Sequence, residues 1–146
     1  MSPFDKYPVK EIAQNRGFAN MFHQVEIMLY VHDPEKCAKF WSEQVGFIVK
    51  EEGEGPDQSK TYLLVACENA EYSLRLFDRE VIAEYSPELD LATPSLLFSC
   101  EDVKETLQKL LDKGVTVGEV VDMGSAETCN FADPEGHFFA FKSVKA

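Results

Sequence analysis

The stretch from residue 24 to residue 49, QVEIMLYVHDPEKCAKFWSEQVGFIV, decides the fold, because the chain carries its pattern twice. It opens on alternation. Val25, Ile27, Leu29 and Val31 are apolar, and Gln24, Glu26 and Tyr30 between them are polar or amphipathic. That is the period of a half-buried strand. Asp33-Pro34 then predicts a helix start, with Asp33 as N-cap and Pro34 at the first helical position. The helix should run to about Val45 and stop near Gly46. The same order returns further along. Residues 95–100 predict a short apolar strand. Glu101-Asp102 precedes a second helix with Val103, Leu107, Leu110 and Leu111 at helical spacing, and Gly114 ends it. Gly46 and Gly114 lie 68 residues apart, as do Val49 and Val117, while Asp33 and Asp102 lie 69 apart. Few side chains match, so the repeat is one of pattern. It implies a duplicated module about a pseudo-twofold axis.

Working outward, residues 1–22 form an N-terminal arm, with a short helix expected over 9–18, that packs on the domain or on a partner subunit. Residues 23–77 are the first module. Its strands are expected at 24–31, 47–51, 61–67 and 72–77, with a Gly- and Pro-rich turn, EGEGPDQSK, over 52–60. Residues 78–94 form a linker bearing Glu80, Glu84, Glu88 and Asp90. Its length suits either a functional loop or a solvated connection. Residues 95–146 are the second module. After its helix come strands at 115–121 (weakened by Gly118), 128–131 and 137–141, with a turn at Asp133-Pro134-Glu135-Gly136. Both modules read β-α-β-β-β. The fold class is α+β: two such modules form one curved eight-stranded mixed sheet with helices on its outer face, as one compact domain.

Composition bounds the function. The 146 residues are one domain's worth, or two small modules sharing a core. A net charge of −12 argues against a nucleic-acid or anionic-membrane partner and leaves a cationic ligand open. Cys37, Cys67, Cys100 and Cys129 are scattered without a CxxC pair, and Cys67 and Cys100 fall in apolar strand patterns. Inert buried thiols in a reducing cytosol are the expectation. No apolar run reaches the ~20 residues that span a bilayer. A cytoplasmic protein is expected.

Three segments carry a family likeness: LYVHDPEKCAKFWSEQVGF (29–47), SCEDVKETLQKLLDKGV (99–115) and FADPEGHFFAF (131–141). Their order and spacing resemble the vicinal oxygen chelate superfamily, which includes glyoxalase I, extradiol dioxygenases, fosfomycin-resistance enzymes and bleomycin-binding proteins. The resemblance covers nearly all of the chain after about residue 22. In the metal-dependent members four strand positions hold the ion. Carried onto this chain, they fall at Glu26, Arg75, Ser95 and Ala140. Only Glu26 suits a metal, because arginine and alanine offer no ligating atom and serine is a poor ligand. His23, His32 and His137 have no metal-binding spacing, and His32 and His137 read as loop-end caps. The reading is therefore no metal and no cofactor.

Strand periodicity sorts the remaining candidates. Glu26, Met28 and Tyr30 should face the concave side, with Ser73, Arg75 and Phe77, with Ser95 and Leu97, and with Phe138 and Ala140. Tyr62 joins them as an aromatic able to stack on a planar ligand, as does Trp41, although Trp41 is expected in the core. In the resembling fold the first and fourth strands of a module are neighbours, so Glu26 and Arg75 should pair. Arg75 then either holds an acidic ligand group or closes a self-satisfied ion pair. Glu26 is also a candidate general base, though an adjacent cation favours its ionised form and works against that role. The function expected is a metal-independent, glyoxalase- or bleomycin-resistance-like protein that binds a small molecule in a concave groove. The alternative is a lyase, isomerase or dioxygenase-like enzyme of the same superfamily acting on a small carbonyl or hydroxy substrate. A third option is a dimeric module with a vestigial groove. The resemblance also implies a homodimer, with pockets formed partly across subunits.

Overall fold

The repeated pattern folds as a repeated unit. The structure is a computed structural model and describes residues 21–144. The helix expected over 9–18, and all but the last two residues of the arm, lie outside the described residues. β1 (Val25–Val31), β2 (Ile48–Glu54), β3 (Lys60–Val65) and β4 (Tyr72–Asp78) form a sheet ordered β1-β4-β3-β2. β5 (Leu97–Ser99), β6 (Thr116–Val117), β7 (Val121–Asp122), β8 (Ala126–Ala132) and β9 (Phe138–Val144) form a second, ordered β5-β9-β8-β6, with β7 also on β8. In each sheet the first strand runs parallel to the last strand of its module, and the other pairings are antiparallel. The mixed α+β class is thus as expected, but the strands divide into hydrogen-bonded sheets of four and five.

The extra strand comes from Gly118. Residues 115–121 were expected as one strand, yet they break into β6 and β7. The Gly118 N–H donates to the Asn130 carbonyl at 2.9 Å, and a Cβ there would collide with Asn130 Oδ1. Five steps from Thr116 to Val121 face four from Ala132 to Thr128, which is a bulge. At the start of the second module the strand also forms later than expected. Ser95 follows Pro94 and lies ahead of β5.

Three α-helices are described: α1 (Pro34–Lys39), α2 (Arg79–Tyr85) and α3 (Val103–Asp112). Asp33 caps α1 by accepting from the Lys36 N–H at 3.1 Å, and Asp102 caps α3 by accepting from Lys104 and Glu105. α1 continues as a π-helical turn over Phe40–Gln44, where the Val45 N–H reaches back five residues to the Phe40 carbonyl at 3.2 Å. The wider turn lets the adjacent Phe40 and Trp41 both be buried. Gly46 then turns at φ +87°, where a side chain would be strained. α2 lies inside the segment read as a linker. Asp78 caps it, Ile82 is buried beneath it, and Arg79 Nη1 donates to the Leu91 carbonyl at 2.6 Å. Leu111 of α3 is exposed rather than in the core, since Val103 and Leu110 supply the buried face.

The core is shared between the modules. Trp41 has ring centroids around it from Phe47 at 4.9 Å, Phe139 at 5.2 Å, Phe131 at 5.7 Å and Phe98 at 6.0 Å. Phe47 belongs to the first module and the others to the second, so α1 packs against both sheets. Edge-to-face contacts of this kind add to the area they bury. The seam is also tied by polar contacts. Glu135, in the Asp133–Gly136 turn, accepts from the His32 and Asp33 N–H groups at 2.9 Å each, at the start of α1. Asp133 is buried and accepts from the Glu135 and His137 N–H groups and from His137 Nδ1, all at 2.9 Å.

Candidate functional site

Alternation decides which side chains leave that core. On the first sheet Leu29, Val31, Leu74 and Leu76 are buried, while Glu26, Met28, Arg75 and Phe77 lie on the face turned from the helices. On the second sheet Phe139 and Phe141 are buried, and Phe138 and Ala140 take the other face, beside Leu97. The register relates the two. Met28 pairs with Arg75, and Leu97 pairs with Ala140. Glu26 sits two residues before Met28 on β1, and Ser95 two residues before Leu97, just ahead of β5. The four positions that the resemblance marks as ligands therefore occupy equivalent places in the two modules.

Their chemistry is unequal. Arg75 Nε donates to Glu26 Oε1 at 2.5 Å, Nη2 to Glu51 Oε1 at 3.2 Å and Nη1 to Thr61 Oγ1 at 3.4 Å. The guanidinium is mostly buried, at 17% side-chain exposure, against 39% for Glu26 and 53% for Glu51. Hydrogen bonding to Glu26, and then to Glu51, holds Arg75 still more firmly protonated. The cluster carries two carboxylates and one cation. Beside it Tyr30 stacks tilted on Phe77 with centroids 6.0 Å apart, and the Tyr30 hydroxyl donates to Met28 Sδ at 3.6 Å. At the equivalent place in the second module Ser95, Leu97 and Phe138 are exposed and Ala140 has no polar side-chain atom.

This donor set does not fit a divalent cation. Arg75 has no lone pair to give and Ala140 no donor atom, which leaves Glu26 and Ser95. Among the described residues no group of three His, Cys, Asp or Glu side chains stands together as a metal site. His32 instead pairs with Glu80 of α2, and His137 with Asp133. The hydrogen bond to Glu80 holds the His32 imidazole above its ordinary pKa.

Two candidates lie elsewhere. Tyr62 pairs in register with Leu76, a core position, so its ring turns toward α1. There it lines a hollow of about 200 Å³ with Glu35, Ala38 and Lys39, and burial pushes its phenol above the ordinary range. Trp41 lies in the core, as expected of it. Glu51 and Thr61 were missed. A bulge between Val49 and Glu51 resets the phase of β2, and alternation alone cannot locate a bulge. The cysteines also divide. Cys37 and Cys129 are buried, but Cys67 is exposed, because β3 ends at Val65 and the Cys67 carbonyl closes a turn to Ala70 at 3.2 Å. Burial, reinforced by the Glu135 carboxylate, pushes the Cys37 thiol far above its ordinary range. It is a packing residue, not a nucleophile.

A profile of the Glyoxalase/Bleomycin resistance protein/Dioxygenase superfamily matches residues 23–141. The chain belongs to this superfamily. Among members of known sequence it is 32% identical over 118 residues to the uncharacterized protein YetH of Bacillus subtilis (strain 168), covering 80% of this chain and 93% of that one. Its fold is similar to that of TnmS3, an antibiotic binding protein from Streptomyces sp. CB03234, with TM-score 0.71, 24% identity, and coverage of 86% of this chain and 98% of that one. A glyoxalase/bleomycin resistance protein from the same Streptomyces strain is similar at TM-score 0.64 and 24% identity, over 81% of this chain and 97% of the other. Superfamily proteins of this fold host unrelated activities, so site chemistry has to carry the function. No helix among the described residues is long and apolar enough to cross a membrane.

Proposed function

We propose that this superfamily member is a metal-independent small-molecule-binding protein that holds a cationic, planar ligand against the face of Glu26, Met28, Arg75 and Phe77. The observation that carries this reading is the engagement of Arg75 by two carboxylates of its own chain. All three of its donor nitrogens are engaged by its own chain, and two carboxylates surround it. The cluster therefore presents net negative charge to a ligand, next to the Met28 and Phe77 surface. A charge of −12 across the chain acts in the same direction at long range. In this reading Glu26 binds and orients the ligand, held in place by Arg75. The antibiotic-binding role of TnmS3 lends the reading support by likeness of fold.

A homodimer is part of the proposal. Leu97 and Phe138 are 55% and 59% exposed on the matching face of the second sheet. Both matching faces turn away from the shared core, so a second copy is what would bring one opposite the other and complete a groove. The protein is read as cytoplasmic.

Calorimetry with a planar monocation such as an acridinium salt tests the ligand class. Wild-type protein should bind it, with affinity falling as salt rises, and Glu26→Gln should weaken it roughly three- to tenfold. Equal affinity in the variant would sink the cationic reading. Elemental analysis after incubation with Ni, Zn, Mn and Fe tests metal independence, and stoichiometric tight metal would revive a metal-dependent enzyme. Light scattering that gives monomer mass across a concentration series would refute the dimer.

A further inference from the structure

A second hollow lies on the core side, where the two modules meet, away from the Arg75 face. Its inner cavity of about 210 Å³ is walled by Phe47 and Tyr72 from the first module and by Phe98, Leu110 and Phe131 from the second. A wider hollow of about 500 Å³ shares Ala66, Tyr72 and Phe98 with it and reaches the surface at the exposed Cys67 and Leu97. So the cavity has an entrance. No charged side chain lines it. An apolar cavity of about 150 Å³ stays dry and takes up benzene. A volume of about 210 Å³ accordingly suits one ring with a small substituent. The walls are already set for aromatic contact, with Phe47 and Phe98 edge to face at 5.6 Å.

Polar atoms narrow the choice. The Cys100 thiol is spent on the Lys142 carbonyl at 3.4 Å. Ser99, Thr106 and Tyr72 add hydroxyls to the wall, and the Tyr72 hydroxyl, on the longest of these side chains and bordering both hollows, has no hydrogen-bond partner among the described residues. We propose that this inter-module crevice is a second binding site, for a neutral single-ring aromatic compound carrying one hydrogen-bond acceptor that the Tyr72 hydroxyl anchors. The occupant touches both modules and so stiffens the seam between them.

Acetophenone is the probe, with ethylbenzene as the near-isostere that lacks the acceptor. Binding is read by amide NMR shifts and by the fluorescence of Trp41, the sole tryptophan, which packs on Phe47 and Phe98. Acetophenone should saturably shift the amides of Phe98 and Leu110 and change Trp41 emission. Ala66→Phe, which fills the neck shared by both hollows, should abolish this. Tyr72→Phe should weaken acetophenone about three- to tenfold and leave ethylbenzene unchanged. The Tyr72 comparison keeps the proposal testable if the Ala66 variant misfolds. Glu26→Gln should leave acetophenone binding untouched, which separates this site from the Arg75 face. The proposal is overturned by absence of saturable binding, by persistence of binding in a folded Ala66→Phe protein, or by shifts confined to Met28, Arg75 and Phe138.

Discussion

The outer faces of the two sheets occupy equivalent places and are built from opposite chemistry. On the first, Met28 pairs with Arg75, and Arg75 is gripped by Glu26, Glu51 and Thr61. On the second, Leu97 pairs with Ala140, and the neighbouring side chains are Ser95 and Phe138. The inner faces did not diverge in this way, because both must pack on the same aromatic core. A duplicated module is thus constrained where it meets its twin and free where it does not. Ion-pair chemistry collected on one outer face and exposed apolar surface on the other.

The largest expected effect probes the two sides of β9. Phe139→Ala should cost about 3–5 kcal/mol, because it removes a ring packed on Trp41 and leaves a cavity. Phe138→Ala, one residue earlier on the outer face, should cost less than about 0.5 kcal/mol in the monomer. Urea denaturation measures both. A comparable loss for Phe138→Ala, dependent on protein concentration, would mean that this face is covered in solution.

Next comes the same substitution at equivalent positions. Arg75→Met leaves Glu26 and Glu51 without their bonded cation, and should cost about 1–2 kcal/mol, with much of the attraction already screened by solvent. Ala140→Met should change stability by less than about 0.5 kcal/mol. If the two cost the same, the faces do not differ as described. A smaller effect tests the equivalence by building the missing pair. Ser95→Glu with Ala140→Arg should show a coupling of about 0.2–1 kcal/mol in a double-mutant cycle. No coupling would mean that the two modules place these strands differently.

The smallest effect lies at the seam, where the His32 N–H meets Glu135 and its ring meets Glu80. His32 has a raised pKa, so the pair's contribution is present below the ordinary histidine value. It is lost as pH rises through the raised one. An NMR titration should place the His32 midpoint above 6.5 and show it falling in Glu80→Gln. An unchanged midpoint would remove the pair from the account.

Much of the fold was legible because its signals are local. Asp33 and Asp102 announce helix starts, Gly46 and Gly114 announce their ends, and alternation in residues 25–31 and 72–77 sorts core from surface. α2 was legible in part: Asp78 is a good cap and Val81-Ile82 an apolar step, but a Glu-rich segment between modules reads equally as a linker. Tyr62 was misplaced because strand phase depends on the partner's register, and Leu76 opposite it fixes the ring toward the helix.

By itself the sequence determined the repeat, the caps and the apolar stripes, since these follow from periodicity and near-neighbour geometry, while the pairing of Glu26 with Arg75 was implied by the strand order of the resembling fold. Only the tertiary structure decided that Arg75 is held by three side chains, because Glu51 arrives from β2 after a bulge that no local pattern encodes and Thr61 arrives from β3. It alone decided that α1 serves both sheets, and that an apolar crevice opens between them. Each of those outcomes depends on how side chains distant in sequence share volume, and packing of that kind is settled only when the modules meet.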